Sequence, residues 1–142
     1  MHGRYVRRLS RYERQGRLSC GASRIEHMYA ALCRVKELSA GIARVDFVEG
    51  NNAAELILYH LIILGEAANN VSDEFCKQHG EVDFRDMAGL RHKLVHDYAN
   101  IDMGRIWQVL IDDVPIWHAS IKPIFEALPQ PVDMPPNLSD FD

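Results

Sequence analysis

The densest chemistry in the chain lies in eight consecutive residues, Arg91-His92-Lys93-Leu94-Val95-His96-Asp97-Tyr98. An arginine presents a fixed fork of guanidinium donors to a phosphate, and a histidine takes or gives a proton near neutral pH. Those two groups are the minimum needed to cleave RNA by attack of its own 2′-hydroxyl. Arg91 and His96 are five positions apart, about 140° around an ideal helix, so one helix does not set them side by side. A homodimer that packs this helix against its mate assembles both into one cleft. Two other readings use the same residues. His92 and His96, four apart, share a helical face at the spacing of a metal pair, with Asp97 or His118 as a third ligand. Alternatively, the cations merely complement the dipole at a solvated helix end.

The elements that position this segment are helical. Ser23 and Glu26 form a capping box, and Ile25, Met28, Leu32, Val35 and Leu38 follow at spacings of three and four as far as Gly41. After a loop around Gly50, AAELILYHLIILGEAANNV is apolar on nearly every side and too long for a strand, which predicts a central helix packed on most of its circumference. Ser72 caps a short helix stopped by Gly80. Asp83 and Asp86 favour the start of a helix that runs to about His96, and Gly89 within it permits close approach of a neighbour. Tyr98-Ala99-Asn100-Ile101 reads as a turn. Asp102 then caps a last long helix with Ile106, Trp107, Val109, Leu110, Val114, Trp117, Ile121, Ile124, Phe125 and Leu128 on its inner face, kinked at Pro115. The pattern is an all-α, up-and-down bundle of four main helices plus a short one.

Composition narrows the function classes. The chain has 142 residues and a formal net charge of −4, yet residues 1–18 hold six arginines against one acid, leaving ten cations against nineteen acids on the rest. A body so acidic does not hold nucleic acid by bulk electrostatics, so phosphate chemistry falls to a local cluster or to the basic arm. The expected organisation is a basic arm over 1–22, a helical domain over 23–128 and a proline-rich acidic tail over 129–142. The arm reads as a disordered extension, as an RNA contact or as a docking segment for an acidic partner. Cys20, Cys33 and Cys76 form no Cys-x-x-Cys pair and no even disulfide framework, pointing to reduced thiols and a cytoplasmic protein. The apolar run Leu61–Leu64 is far too short to span a bilayer, and no secretory signal is evident. Phosphate-binding loops, nucleophile elbows and His-Glu-x-x-His zinc motifs are all missing from the sequence.

The run Arg91, four residues, His96, one residue, Tyr98 resembles the R-x4-H-x-Y motif of the HepT-like branch of the HEPN superfamily. These are ribonuclease toxins paired with a minimal, MntA-like nucleotidyltransferase antitoxin. The frame around the motif carries the specificity: Leu64 to Asn69 (LGEAAN), Phe84 to Tyr98, Ile101-Asp102, and Ile106 to Pro115, in the family's order over about residues 23–128. The resemblance implies a HEPN-like bundle, a dimer, and metal-independent cleavage of RNA without a cofactor. It implies that Arg91 steadies the scissile phosphate, that His96 transfers protons, and that Tyr98 receives AMP from the partner enzyme. Glu66 is a candidate to orient the site, with His92 and Asp97 as supporting neighbours. Two positions depart from the pattern: His92, where the family commonly has Asn or Asp, and Ala99, often aromatic.

The His92 departure keeps a second class open, a non-catalytic helical module that binds a nucleotide or docks a nucleotidyltransferase. His27, His60, His79 and His118 lack comparable company and read as packing or surface residues. Trp107 and Trp117 read as core and not as base-stacking platforms.

Overall fold

The computed structural model describes residues 20–129, and the readings of the basic arm and the proline-rich tail fall largely outside them. Five α-helices and two single 3-10 turns make up the described chain, with no strand among the described residues. In chain order the helices are α1 (Cys20–Ala40), α2 (Asn52–Asn69), α3 (Asp73–Gln78), α4 (Phe84–His96) and α5 (Met103–Ala127). The fold is all-α, four main helices plus the short α3, as periodicity indicates.

Four of the helix starts follow directly from one side chain each. Asn51 accepts a hydrogen bond from the Ala54 amide, Ser72 from Phe75 and Asp102 from Arg105, each satisfying an N–H that has no partner within its helix. Asp83 caps α4 in the same way through the Asp86 amide. The capping box at Ser23 is not used. The chain is already helical at Cys20, so Ser23 lies inside the helix, and Glu26 is buried.

The helices stack as α4 on α2, α2 on α1 and α1 on α5, while α4 and α5 touch only sparsely. Ile25, Met28, Leu32 and Val35 of α1, Ile57, Leu61 and Leu64 of α2, Met87 of α4 and Val114 and Ile121 of α5 fill the centre. Phe47, from the connection between α1 and α2, is fully buried there beside Trp107, with ring centroids 5.4 Å apart. The central helix is enclosed on most sides but not all: Leu56 and Tyr59 are exposed. Helix α5 runs on through Pro115 and also through Pro123. Each proline removes a bond to the carbonyl four residues earlier, and those carbonyls belong to Ile111 and Ala119, both exposed residues.

One contact sets how α4 lies against α2. A Cβ placed on Gly65 would come 2.2 Å from Arg91 Cβ and 2.6 Å from the Met87 carbonyl oxygen. The bare backbone of Gly65 is what admits α4. Gly89, expected to permit a close approach, has nothing within 4 Å of such a Cβ and faces solvent, so that role belongs to Gly65 and not to Gly89.

Candidate functional site

Helix α4 carries both Arg91 and His96 within unbroken α-helix, so the angular separation of about 140° holds in the folded chain. Arg91 turns toward α2. Its Nε lies 2.8 Å from Glu66 Oε2, an ion pair whose N–H is not aligned as a hydrogen bond. Glu66 is itself steadied at the end of α2, where the Asn70 side-chain amide donates to its carboxylate at 3.2 Å and to its backbone carbonyl at 2.8 Å. The candidate pair Arg91 and Glu66 is thus brought together.

His96 is not part of that contact. It is exposed on another face of α4, with the His92 ring against it at 4.3 Å between centroids. Asp97 ends α4, its amide donating to the Lys93 carbonyl at 3.0 Å. Tyr98 opens the following 3-10 turn, Tyr98–Asn100, with 75% of its surface exposed.

Two concavities flank α4. On one side a cleft of about 220 Å³ is lined by Arg24 and His27 of α1, Ile62, Ile63, Glu66 and Ala67 of α2, and Arg91. On the other, between α4 and α5, a groove of about 540 Å³ has Leu90, Leu94, Ile106 and Val109 as its apolar floor and Lys93, Asp97, Arg105 and Asp113 at its rim. Asp97 therefore belongs to the groove and Arg91 to the cleft. Burial, reinforced by Asp112 and Asp83, pushes the Asp113 carboxyl above its ordinary range.

The pairing of His92 and His96 with Asp97 or His118 around a metal does not form. His118 lies between α1 and α5, its Nε2 3.7 Å from Cys33 Sγ and its ring 5.3 Å from that of Tyr29. Burial there, with Lys36 and Lys122 adding repulsion, holds its imidazole below the usual histidine value. Among the described residues no three His, Cys, Asp or Glu side chains group as a metal site. Of the two tryptophans, Trp117 is buried in the core and Trp107 packs partly buried with Arg44 5.8 Å above its ring.

Sequence reasoning missed Gly65 and Arg24. Gly65 stands one residue before Glu66 within the quoted LGEAAN segment, and a small residue on the buried side of a central helix was the available signal. Arg24 gave none, because only the packing of α1 on α2 carries it to Arg91.

The chain from residue 28 to residue 124 matches the family model described as Ribonuclease HepT-like. A protein of Thermococcus cleftensis named for ribonuclease HepT is 31% identical over 104 residues, covering 73% of this chain and 91% of that one. A protein of Caldanaerobacter subterraneus subsp. tengcongensis with RNase in its name is 29% identical over 102 residues, 72% of this chain and 91% of its own length. No solved structure matches. No helix among the described residues is long and apolar enough to cross a membrane.

Proposed function

The chain belongs to the HepT-like ribonuclease family, and from that premise we propose that it is the toxin of a toxin–antitoxin pair, an endoribonuclease that cuts RNA through Arg91 and His96 of two subunits. The observation that carries the reading is the divergence of the two residues on α4. Arg91 faces a cleft, fixed by Glu66, while His96 stands exposed on a different face. A single subunit then offers a phosphate anchor and a proton carrier that do not converge. Two copies related by a two-fold axis bring each one's missing partner. Helix α4 has a free flank for this, since it packs on α2 but leaves an apolar-floored groove toward α5.

The reaction needs no metal. The 2′-oxygen of one ribose attacks the adjacent phosphorus as a base takes the 2′ proton. The bond from phosphorus to the 5′-oxygen breaks, and an acid gives that oxygen a proton. The products are a 2′,3′-cyclic phosphate and a 5′-hydroxyl. Arg91 neutralises the charge that gathers on the phosphoryl oxygens. With two His96 rings in one cleft, one serves as base and the other as acid, and the His92 ring against His96 limits the imidazole's freedom. Silencing follows from AMP on Tyr98, placed there by an MntA-like nucleotidyltransferase. A phosphodiester charge two residues from His96 repels substrate phosphate, and the purine blocks its approach.

Purified protein incubated with labelled RNA in EDTA tests this. Cleavage should persist, with 2′,3′-cyclic phosphate ends, and fall by about 10² or more in Arg91→Ala and in His96→Ala. Activity abolished by EDTA overturns the metal-free mechanism. A strict monomer in sedimentation at micromolar concentration, still active, overturns the two-subunit site.

A further inference from the structure

The cleft on the α2 side of α4 holds a second arginine that the cleavage mechanism does not use. Arg24, in the first described turns of α1, lines the same cleft as Arg91, together with Glu66 and the apolar Ile62, Ile63 and Ala67. Its Nε is buried and has no hydrogen-bond partner, and no ion pair forms at Arg24 among the described residues. A buried guanidinium N–H without an acceptor is costly, and the cost is relieved when an anion enters. Arg91 differs, since its charge is already balanced by Glu66. A guanidinium has five N–H donors, however, and one carboxylate against Nε does not saturate it. The net charge facing the cleft is therefore positive, with two planar forks on two helices.

The volume narrows the ligand. At about 220 Å³ the cleft is smaller than the roughly 300–1,000 Å³ of sites that enclose whole drug-sized ligands. It suits a phosphate with part of its sugar, held on one side and open to solvent on the other, as a strand passing over the surface presents it. An acidic peptide would bring carboxylates on flexible stems. The paired forks instead match the tetrahedral oxygens of a phosphodiester, which guanidinium groups grip two at a time.

We propose that the cleft walled by Arg24, His27, Glu66 and Arg91 is a phosphate subsite, in which Arg24 holds the RNA backbone phosphate next to the one at Arg91. The proposal rests on the ribonuclease reading for its substrate and assigns Arg24 to RNA binding, apart from the proton transfers. It also gives an acidic body the local cation cluster that RNA binding demands.

A fluorescent 2′-O-methyl oligoribonucleotide, which cannot be cleaved because its attacking hydroxyl is blocked, serves as the probe. Its anisotropy on titration with the full-length protein gives affinity as a function of salt. Arg24→Gln should bind about tenfold more weakly, the loss of one charge-assisted contact, with a log–log salt slope shallower by about 0.7. Arg24→Lys keeps the charge and should restore the slope and part of the affinity. In the unsubstituted protein, phenylglyoxal labelling of Arg24, located by peptide mass, should fall when the probe is bound. Arg24→Gln binding with wild-type affinity and slope overturns the subsite, as does undiminished labelling of Arg24 under saturating probe. If the wild type cleaves no RNA while probe binding still depends on Arg24, the ribonuclease reading fails and the phosphate subsite stands. If the wild type cleaves and neither Arg24 variant alters binding, the reverse holds.

Discussion

Gly65 and Arg91 meet so closely that the first has no room for a side chain: its added Cβ would stand 2.2 Å from the Cβ of the second. Arg91 is thus positioned from its backbone outward. Helix α4 seats on the bare stretch of α2 at Gly65, and the neighbouring Glu66 then reaches the guanidinium.

Replacing Gly65 by Ala pits two effects against each other. Alanine gains about 1 kcal/mol in helix propensity over glycine. Against it, the new methyl meets a backbone carbonyl at 2.6 Å, which no rotamer change relieves, and overpacking of this kind costs about 1–3 kcal/mol. The clash prevails, so Gly65→Ala should lower the urea midpoint and also displace Arg91, reducing cleavage. Gly89→Ala is the internal control. That site is open and mid-helix, and the same substitution should raise stability by about 0.5–1 kcal/mol. Equal shifts of the same sign in the two variants refute the seating role of Gly65.

The ion pair between Glu66 and Arg91 should matter to rate and hardly at all to folding. Both side chains are partly exposed, and such pairs contribute about 0–1 kcal/mol. Glu66→Gln keeps the shape and removes the charge that holds the guanidinium. A poorly held phosphate anchor costs transition-state stabilisation, so kcat should fall about tenfold or more with the urea midpoint nearly unchanged. Because an acid leaves a cationic cleft, KM should fall as well. A variant with wild-type kcat would show that Arg91 is held without this contact.

Much of this arrangement was legible in the sequence, and the parts that were not share a cause. Ser72, Asp83 and Asp102 announce their helices because a cap acts within four residues of itself. Ser23 misleads because a capping box is also a local pattern, and here the helix has already begun at Cys20, upstream of it. A glycine at position 89 suggests a close helix approach, yet Met87, Leu90 and Leu94 are the buried side of α4 and Gly89 lies off it. Phe47 sits in what reads as a connecting loop and is nonetheless fully buried. For Gly65 and Phe47 the deciding partners, Arg91 and Trp107, are distant in sequence, supplied by packing that periodicity does not encode.

His118 gives stability a pH dependence of predictable sign. Burial lowers its folded pKa below the unfolded value of about 6.5, so the unfolded chain binds the proton more readily. Stability is then fully present above about pH 6.5 and declines as pH falls from there toward the folded pKa. His118→Gln should flatten that part of the profile relative to wild type, measured as urea midpoints on either side of about pH 6.5. The carboxyls of Asp86, raised chiefly by its hydrogen bond to Asp83, and of Asp113 act in the opposite sense at lower pH, above about 3.8. Profiles of wild type and His118→Gln that fall in parallel assign the near-neutral loss to another group.

Tyr98 is the residue whose substitution should separate activity from regulation. It follows the end of α4 in a single 3-10 turn and is 75% exposed, so its phenol can enter the active site of another enzyme without unfolding its own chain. A core tyrosine would offer no such access. Tyr98→Phe removes only the acceptor oxygen from an exposed ring, and stability should change by less than about 0.5 kcal/mol. Cleavage should persist, since the phenol takes no part in the proton transfers. Incubation with the MntA-like nucleotidyltransferase, ATP and Mg²⁺ should add the mass of adenylyl groups to the wild type, silencing it, and add none to Tyr98→Phe, which should remain toxic in cells that express the partner. An unaltered mass shift in Tyr98→Phe would place the acceptor at another residue, and loss of cleavage in the unmodified variant would make Tyr98 part of the reaction itself.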